Sequence, residues 1–181
     1  MIRRIIISCI AENNADFIQH PSICANKLQL WGIPLSQTFT KLEDSDGNKV
    51  KPESVSGTFI QVGVPILPGI GMDNIESNFG DSKIATTIYN LYYLLPIPVI
   101  NLTLGAGVGS TEFKCEGCSS LYDKGATSQW YASFGFPIIP LFDLHLSYRS
   151  INAKVEGKGL AKGTDPDFSS NVMGIGFMFN F

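Results

Sequence analysis

From about residue 27 onward, apolar and polar side chains alternate with a period of two, the pattern of strands that keep two unlike faces apart. One stretch puts Ile100, Leu102, Leu104, Ala106 and Val108 on one face and Asn101, Thr103, Gly105, Gly107 and Gly109 on the other. The next sets Trp130, Ala132, Phe134 and Phe136 against Gln129, Tyr131, Ser133 and Gly135. Another sets Phe142, Leu144, Leu146 and Tyr148 against Asp143, His145, Ser147 and Arg149. Earlier, Ile60, Val62 and Val64 oppose Phe59, Gln61 and Gly63, and Tyr89, Leu91, Tyr93 and Leu95 oppose Thr86, Ile88, Asn90 and Tyr92. At the end of the chain Met173, Ile175, Phe177, Phe179 and Phe181 oppose Val172, Gly174, Gly176, Met178 and Asn180. Two segments are less regular. Residues 27–39 contain Pro34, and residues 70–79 shift phase around Asn74, as at a bulge.

Punctuation separates these segments. Val64-Pro-Ile-Leu-Pro-Gly69, Leu95-Pro-Ile-Pro-Val99 and Phe136-Pro-Ile-Ile-Pro-Leu141 are Pro-bounded turns, and Pro belongs at strand ends because it has no N–H for the ladder. Polar loops lie between them, at residues 41–56, 80–83, 114–127 and 156–168. Three turns alternating with four loops define eight strands, at 27–39, 57–65, 70–79, 84–95, 99–112, 128–136, 141–154 and 169–181. The expected fold is all-β, an eight-stranded antiparallel up-and-down barrel over residues 26–181, with residues 1–25 outside the pattern.

Alternation alone does not say which face is inside. The apolar face is bulky and aromatic, and the other is polar and rich in the chain's 18 glycines, which suits a narrow interior. Aromatics also gather near strand ends, at Tyr92, Tyr93, Trp130, Phe136, Phe142, Tyr148, Phe179 and Phe181, as interfacial girdles do. These features favour a membrane barrel with its apolar face outward. No stretch approaches the roughly 18 apolar residues of a membrane helix. The net charge of −3, with no basic run, argues against a nucleic-acid partner.

The terminal strand with Phe177, Phe179 and Phe181, taken with the strand pattern over residues 57–181, resembles the small eight-stranded outer-membrane β-barrel proteins of Gram-negative bacteria, of the OmpX and OmpW size class. The resemblance implies residence in outer-membrane lipid and recognition of the C-terminal strand by the barrel-assembly machinery. It also implies a structural or surface-loop binding role, or passage of a small solute, without catalysis. The alternative is a soluble lipocalin-like barrel binding a small apolar ligand, which would turn Leu102, Leu104, Phe134, Leu144, Ile175 and Phe177 inward.

In the membrane reading Gln61, Asn101, Thr103, Gln129, Tyr131, Asp143, His145, Arg149 and Asn180 line the lumen. Enclosed polar groups must find partners, so the bland expectation is a hydrogen-bonded plug and the sharper one a polar conduit or ligand site. Cys115 and Cys118, in a Gly- and Ser-containing loop, are candidates for a small disulfide; free thiols and a metal or redox role stay open. Gly105-Ala-Gly-Val-Gly109 lacks the spacing of a nucleotide-binding loop. The acidic residues at 43, 44, 46, 165 and 167 match no full calcium-loop motif. No cofactor and no metal are expected. Residues 1–10 begin like a secretory leader, but the apolar run is short and Glu12 follows closely, so residues 1–25 are taken as an altered or truncated leader, or as an irregular, non-native start.

Overall fold

The computed structural model describes residues 28–180, apart from 44–45, 65–66, 98–99, 117–120 and 140–141. Residues 1–25, Cys118 and Phe181 lie outside the described residues. The strands are β1 (Leu28–Phe39), β2 (Ser54–Gly63), β3 (Gly69–Phe79), β4 (Ser82–Ile97), β5 (Ile100–Lys114), β6 (Gly125–Ile139), β7 (Phe142–Ala153) and β8 (Ser170–Asn180). Each pairs antiparallel with the next, and β8 pairs with β1 to close the barrel. Closure leaves no free sheet edge. Three short connections lie at one end, here the turn end, and four others at the loop end.

The ladder keeps the expected irregularity at Pro34 and corrects the one at Asn74. β3 runs through Asn74 in unbroken register with both neighbours, Asn74 facing Thr58 on one side and Thr87 on the other. The register breaks occur instead at prolines, between Pro34 and Ser36 of β1 and between Pro137 and Ile139 of β6. A proline cannot donate to the ladder, and a bulge absorbs the defect. In β1 the extra residue leaves Leu35 and Ser36 both exposed and returns Gln37 and Phe39 to the interior.

β2 starts at Ser54 rather than 57, and β6 spans Gly125–Ile139 rather than 128–136. The added loop-end residues lie where the outer face has become polar, so they read as loop in the sequence. The outer switch follows one ring around the barrel. Ile60, Met72, Tyr89, Val108, Trp130, Tyr148 and Met173 are the last large apolar outward positions, and Thr58, Asn74, Thr87, Ser110, Ser128, Ser150 and Asn171 are the first polar ones. Within the ring Thr87 Oγ1 donates to Asn74 Oδ1 at 2.9 Å. On β5 the belt runs from Ile100 to Val108. At a rise of ~3.3 Å per residue and a tilt near ~40° that is roughly 20 Å of height.

The interior is layered. Under the loops lies an apolar cluster of Phe39, Ile75, Ile84, Ile151, Val155 and Phe168, with Phe79, Phe113 and Tyr122 packed against it. Phe113 and Phe168 have ring centres 5.5 Å apart, and Phe39 lies 5.5 Å from Phe79. Polar groups occupy the middle. A small apolar group, Leu30, Leu94 and Met178, fills the turn end. Beyond the polar ring the barrel is thus built like a soluble one, apolar within and polar without. Inside the belt the arrangement inverts.

Tyr92 departs from the expected girdle: it is buried in the interior rather than placed on the outer wall. Glycine makes its room. A Cβ on Gly69, its partner across the β3–β4 ladder, would fall 2.2 Å from the Tyr92 ring. Gly105 stands in the same relation to Tyr131 at 2.4 Å, and Gly135 to His145 at 2.3 Å. Large inward side chains therefore lie over glycines on the neighbouring strand, a pairing that keeps a narrow barrel filled.

Candidate functional site

The middle layer brings together most of the polar candidates. Arg149 of β7 and Asp73 of β3 are 1 % and 0 % exposed, with Nε 3.0 Å from Asp73 Oδ2. Gln129 Nε2 donates to the same oxygen at 2.5 Å and to Asn90 Oδ1 at 2.6 Å. Gln61 Nε2 donates to the Tyr131 hydroxyl at 2.8 Å. The guanidinium carbon of Arg149 lies 3.6 Å from the centre of the Phe59 ring and 4.7 Å from that of Tyr131. Burial makes such cation–π contacts worth about 2 kcal/mol or more. They also offset part of the cost of holding the cation away from water.

Topology explains how these groups come to meet. In a closed ring of eight, β3 lies opposite β7 and β2 opposite β6. The Arg149–Asp73 ion pair and the Gln61–Tyr131 hydrogen bond thus both cross the barrel along a diameter.

Nearer the turn end His145 Nδ1 lies 3.0 Å from Ser133 Oγ. This is hydrogen-bond distance for a nucleophile and its base. Both residues are 1 % exposed, however, and no second group orients His145 Nε2 among the described residues. Asn101 Nδ2 donates to Asp143 Oδ2 at 2.5 Å, in a separate cluster closer to the turns. Thr103 is fully buried on the same face. The side chain of Asn180 lies outside the described residues.

At the loop end Thr86, Thr111 and Thr127 form a chain of hydroxyls at 2.9 and 2.7 Å. Gln37 Nε2 donates to Ser170 Oγ at 2.9 Å, and Ser77 donates to Gln37 Oε1. Cys115 is disulfide-bonded. Phe177 is half exposed on the outer wall, and Phe179 packs edge-on against Phe142 at 4.8 Å. Among the described residues no three His, Cys, Asp or Glu side chains converge as metal ligands.

Several members of the network are absent from the sequence-based candidates: Asp73, Asn90, Gln37, Ser77 and Ser133. Asp73 matters most, since it carries the charge that Arg149 meets. Its signal was present. Continuing the Ile70–Met72 alternation places Gly69, Gly71, Asp73, Ile75 and Ser77 on the inner face.

The residues an apolar-lined soluble barrel would bury are outside. Leu104 and Phe177 are 45 % and 50 % exposed, while Arg149 is 1 % exposed. No protein-family profile matches the sequence, and no curated protein is significantly similar to it. Solved structures share the fold. Neisserial surface protein A superposes with a TM-score of 0.58 at 16 % identity, over 86 % of this chain and 96 % of the other. The outer membrane protein OprG of Pseudomonas aeruginosa gives 0.55 at 13 % identity, over 87 % and 96 %. Outer membrane protein W of E. coli gives 0.50 at 10 % identity, over 84 % and 97 %. The fold is that of the small eight-stranded outer-membrane β-barrels.

Proposed function

We propose that this chain is an integral outer-membrane β-barrel with a solid interior, whose work is done by its loop-end surface rather than by conduction or catalysis. The observation that carries this reading is the double crossing of the lumen by Arg149–Asp73 and Gln61–Tyr131. An eight-stranded barrel has room for side chains and little else. Here the apolar cluster under the loops closes a second level.

The loops support a display role. Those after β5 and β7 hold each other: Tyr122 bridges Gly157, Lys158 N donates to Leu121 O at 2.7 Å, and Lys158 Nζ lies 2.6 Å from Asp123. Glu43 and Lys49 pair across the loop after β1. Mutually braced loops present a defined surface at low entropic cost to a partner. The outward Phe177 and Phe179 of β8 fit a role for the terminal strand in assembly.

The test is planar-bilayer recording on protein whose fold is verified by heat-modifiable gel mobility. No conductance steps are expected. Reproducible steps from the folded form would overturn the closed-interior reading, and purification from buffer without detergent would overturn the membrane reading.

A further inference from the structure

The outer wall carries an indentation where the first and last strands meet. Across the β1–β8 ladder Trp31 faces Phe177, Gly32 faces Gly176 and Ile33 faces Ile175. The side chains of the first and third pairs point outward. The glycines between them expose only backbone, which forms the floor of a furrow of about 270 Å³ with Phe179 at its turn-side end. A Cβ on either glycine would fall 2.9 Å from a carbonyl oxygen of the opposite strand, so the floor is closely packed.

We propose that this furrow seats an acyl chain of one phospholipid of the turn-side leaflet, an inference that rests on the membrane reading above. Three observations select this occupant. The furrow lies within the apolar belt, below the ring of hydroxyls and amides, where hydrocarbon replaces water. Its walls are the aromatic and branched side chains of only two neighbouring strands. It is therefore a slot for a flexible chain, whereas a second copy would need roughly 800 Å² on each partner. Its turn side ends at Gln29, an outward amide opposite Phe179 and Val62. The rest of that rim, including Val64, Leu67, Ile97 and Ile138, carries no outward charge among the described residues. A headgroup there meets a neutral hydrogen-bonding group, which fits a zwitterionic lipid.

The experiment is native mass spectrometry of the detergent-solubilised chain after equilibration with phosphatidylethanolamine and removal of excess lipid. Wild type is expected to retain one lipid. Ile175→Trp and Ile33→Trp, which fill the furrow from either strand, should each reduce retention at least ~5-fold; a change of that size is about 1 kcal/mol. Val108→Trp, also lipid-facing but on β5, should retain lipid as wild type does. Heat-modifiable mobility checks that each variant is folded. Equal retention by the furrow variants, absence of lipid on wild type, or a wild-type dimer that Ile175→Trp dissociates would each overturn the proposal while leaving the membrane reading intact. A chain that stays soluble without detergent would instead remove its premise.

Discussion

Arg149 and Asp73, on strands that face each other across the barrel, meet at 3.0 Å with neither side chain reached by solvent. Removing one partner leaves the other charge buried alone, which costs about 3–5 kcal/mol. Arg149→Met or Asp73→Leu should each lower folding stability by that amount, measured by urea titration of the heat-modifiable gel shift in vesicles. The double replacement should behave differently. Asp73 Oδ1 and Arg149 Nη1 find no partner among the described residues, so the pair is not fully matched to its surroundings. The Asp73→Leu/Arg149→Met variant should recover most of the loss. A double variant as unstable as the sum of the singles would show the two residues acting independently.

Glycine contacts across the ladder set a second expectation. Gly105 lies under the Tyr131 ring, and an added methyl would sit 2.4 Å from a ring carbon. Gly105→Ala forces Tyr131 out of place and strains its hydrogen bond from Gln61. Overpacking of this kind costs about 1–3 kcal/mol. Tyr131→Ser, destabilising alone, should make Gly105→Ala nearly neutral in its own background. Additive losses would mean that the methyl is accommodated elsewhere.

Much of this architecture is legible in the sequence because lipid-facing and lumen-facing residues differ so strongly. The runs Ile100–Val108 and Met173–Phe179 separate a bulky apolar face from a small or polar one cleanly, although alternation by itself leaves open which of the two is outward. Legibility fails where that contrast fades. Beyond the polar ring the outer face turns polar and the segments are short and small-residue-rich, so Ser54–Ser56 and Gly125–Thr127 look like loop although they are strand. In β1 the bulge at Pro34 breaks the period, and in β3 the outward Asn74, Glu76 and Asn78 mimic a change of phase. That illusion hides Asp73. No local pattern indicates which inward residues meet across a diameter, since Asp73 and Arg149 are related only by the closure of all eight strands.

The outer belt makes its own prediction, independent of the interior. An arginine in the middle of a lipid-facing strand costs about 2–4 kcal/mol, and near the interface only about 0–1 kcal/mol. Leu104 lies mid-belt, and Ser110 sits on the polar ring of the same strand. Leu104→Arg should therefore destabilise the vesicle-folded protein by the larger amount and Ser110→Arg by the smaller one. In detergent micelles, which deform around a charge, the gap should narrow. Equal costs in vesicles would place the edge of the hydrocarbon somewhere other than this ring.

Phe168 belongs to the apolar cluster under the loops, the upper of the two levels at which the interior is proposed to be closed. It follows the loop after β7 and folds back inside, its N–H donating to Ala153 O at 2.8 Å and its ring packing on Phe113 and Phe39. Truncating a buried Phe costs about 3–5 kcal/mol. Phe168→Ala should lose stability in that range and release the loop it anchors. Trypsin should then cut at Lys158 or Lys162 in the folded barrel faster than in wild type. Conductance should stay absent, because Arg149–Asp73 and Gln61–Tyr131 still cross the lumen below. If Phe168→Ala alone produced channel steps, the polar crossing would not be a seal and the aromatic cluster would be the only closure. If neither trypsin cleavage nor stability changed, Phe168 would not be holding the loop at all.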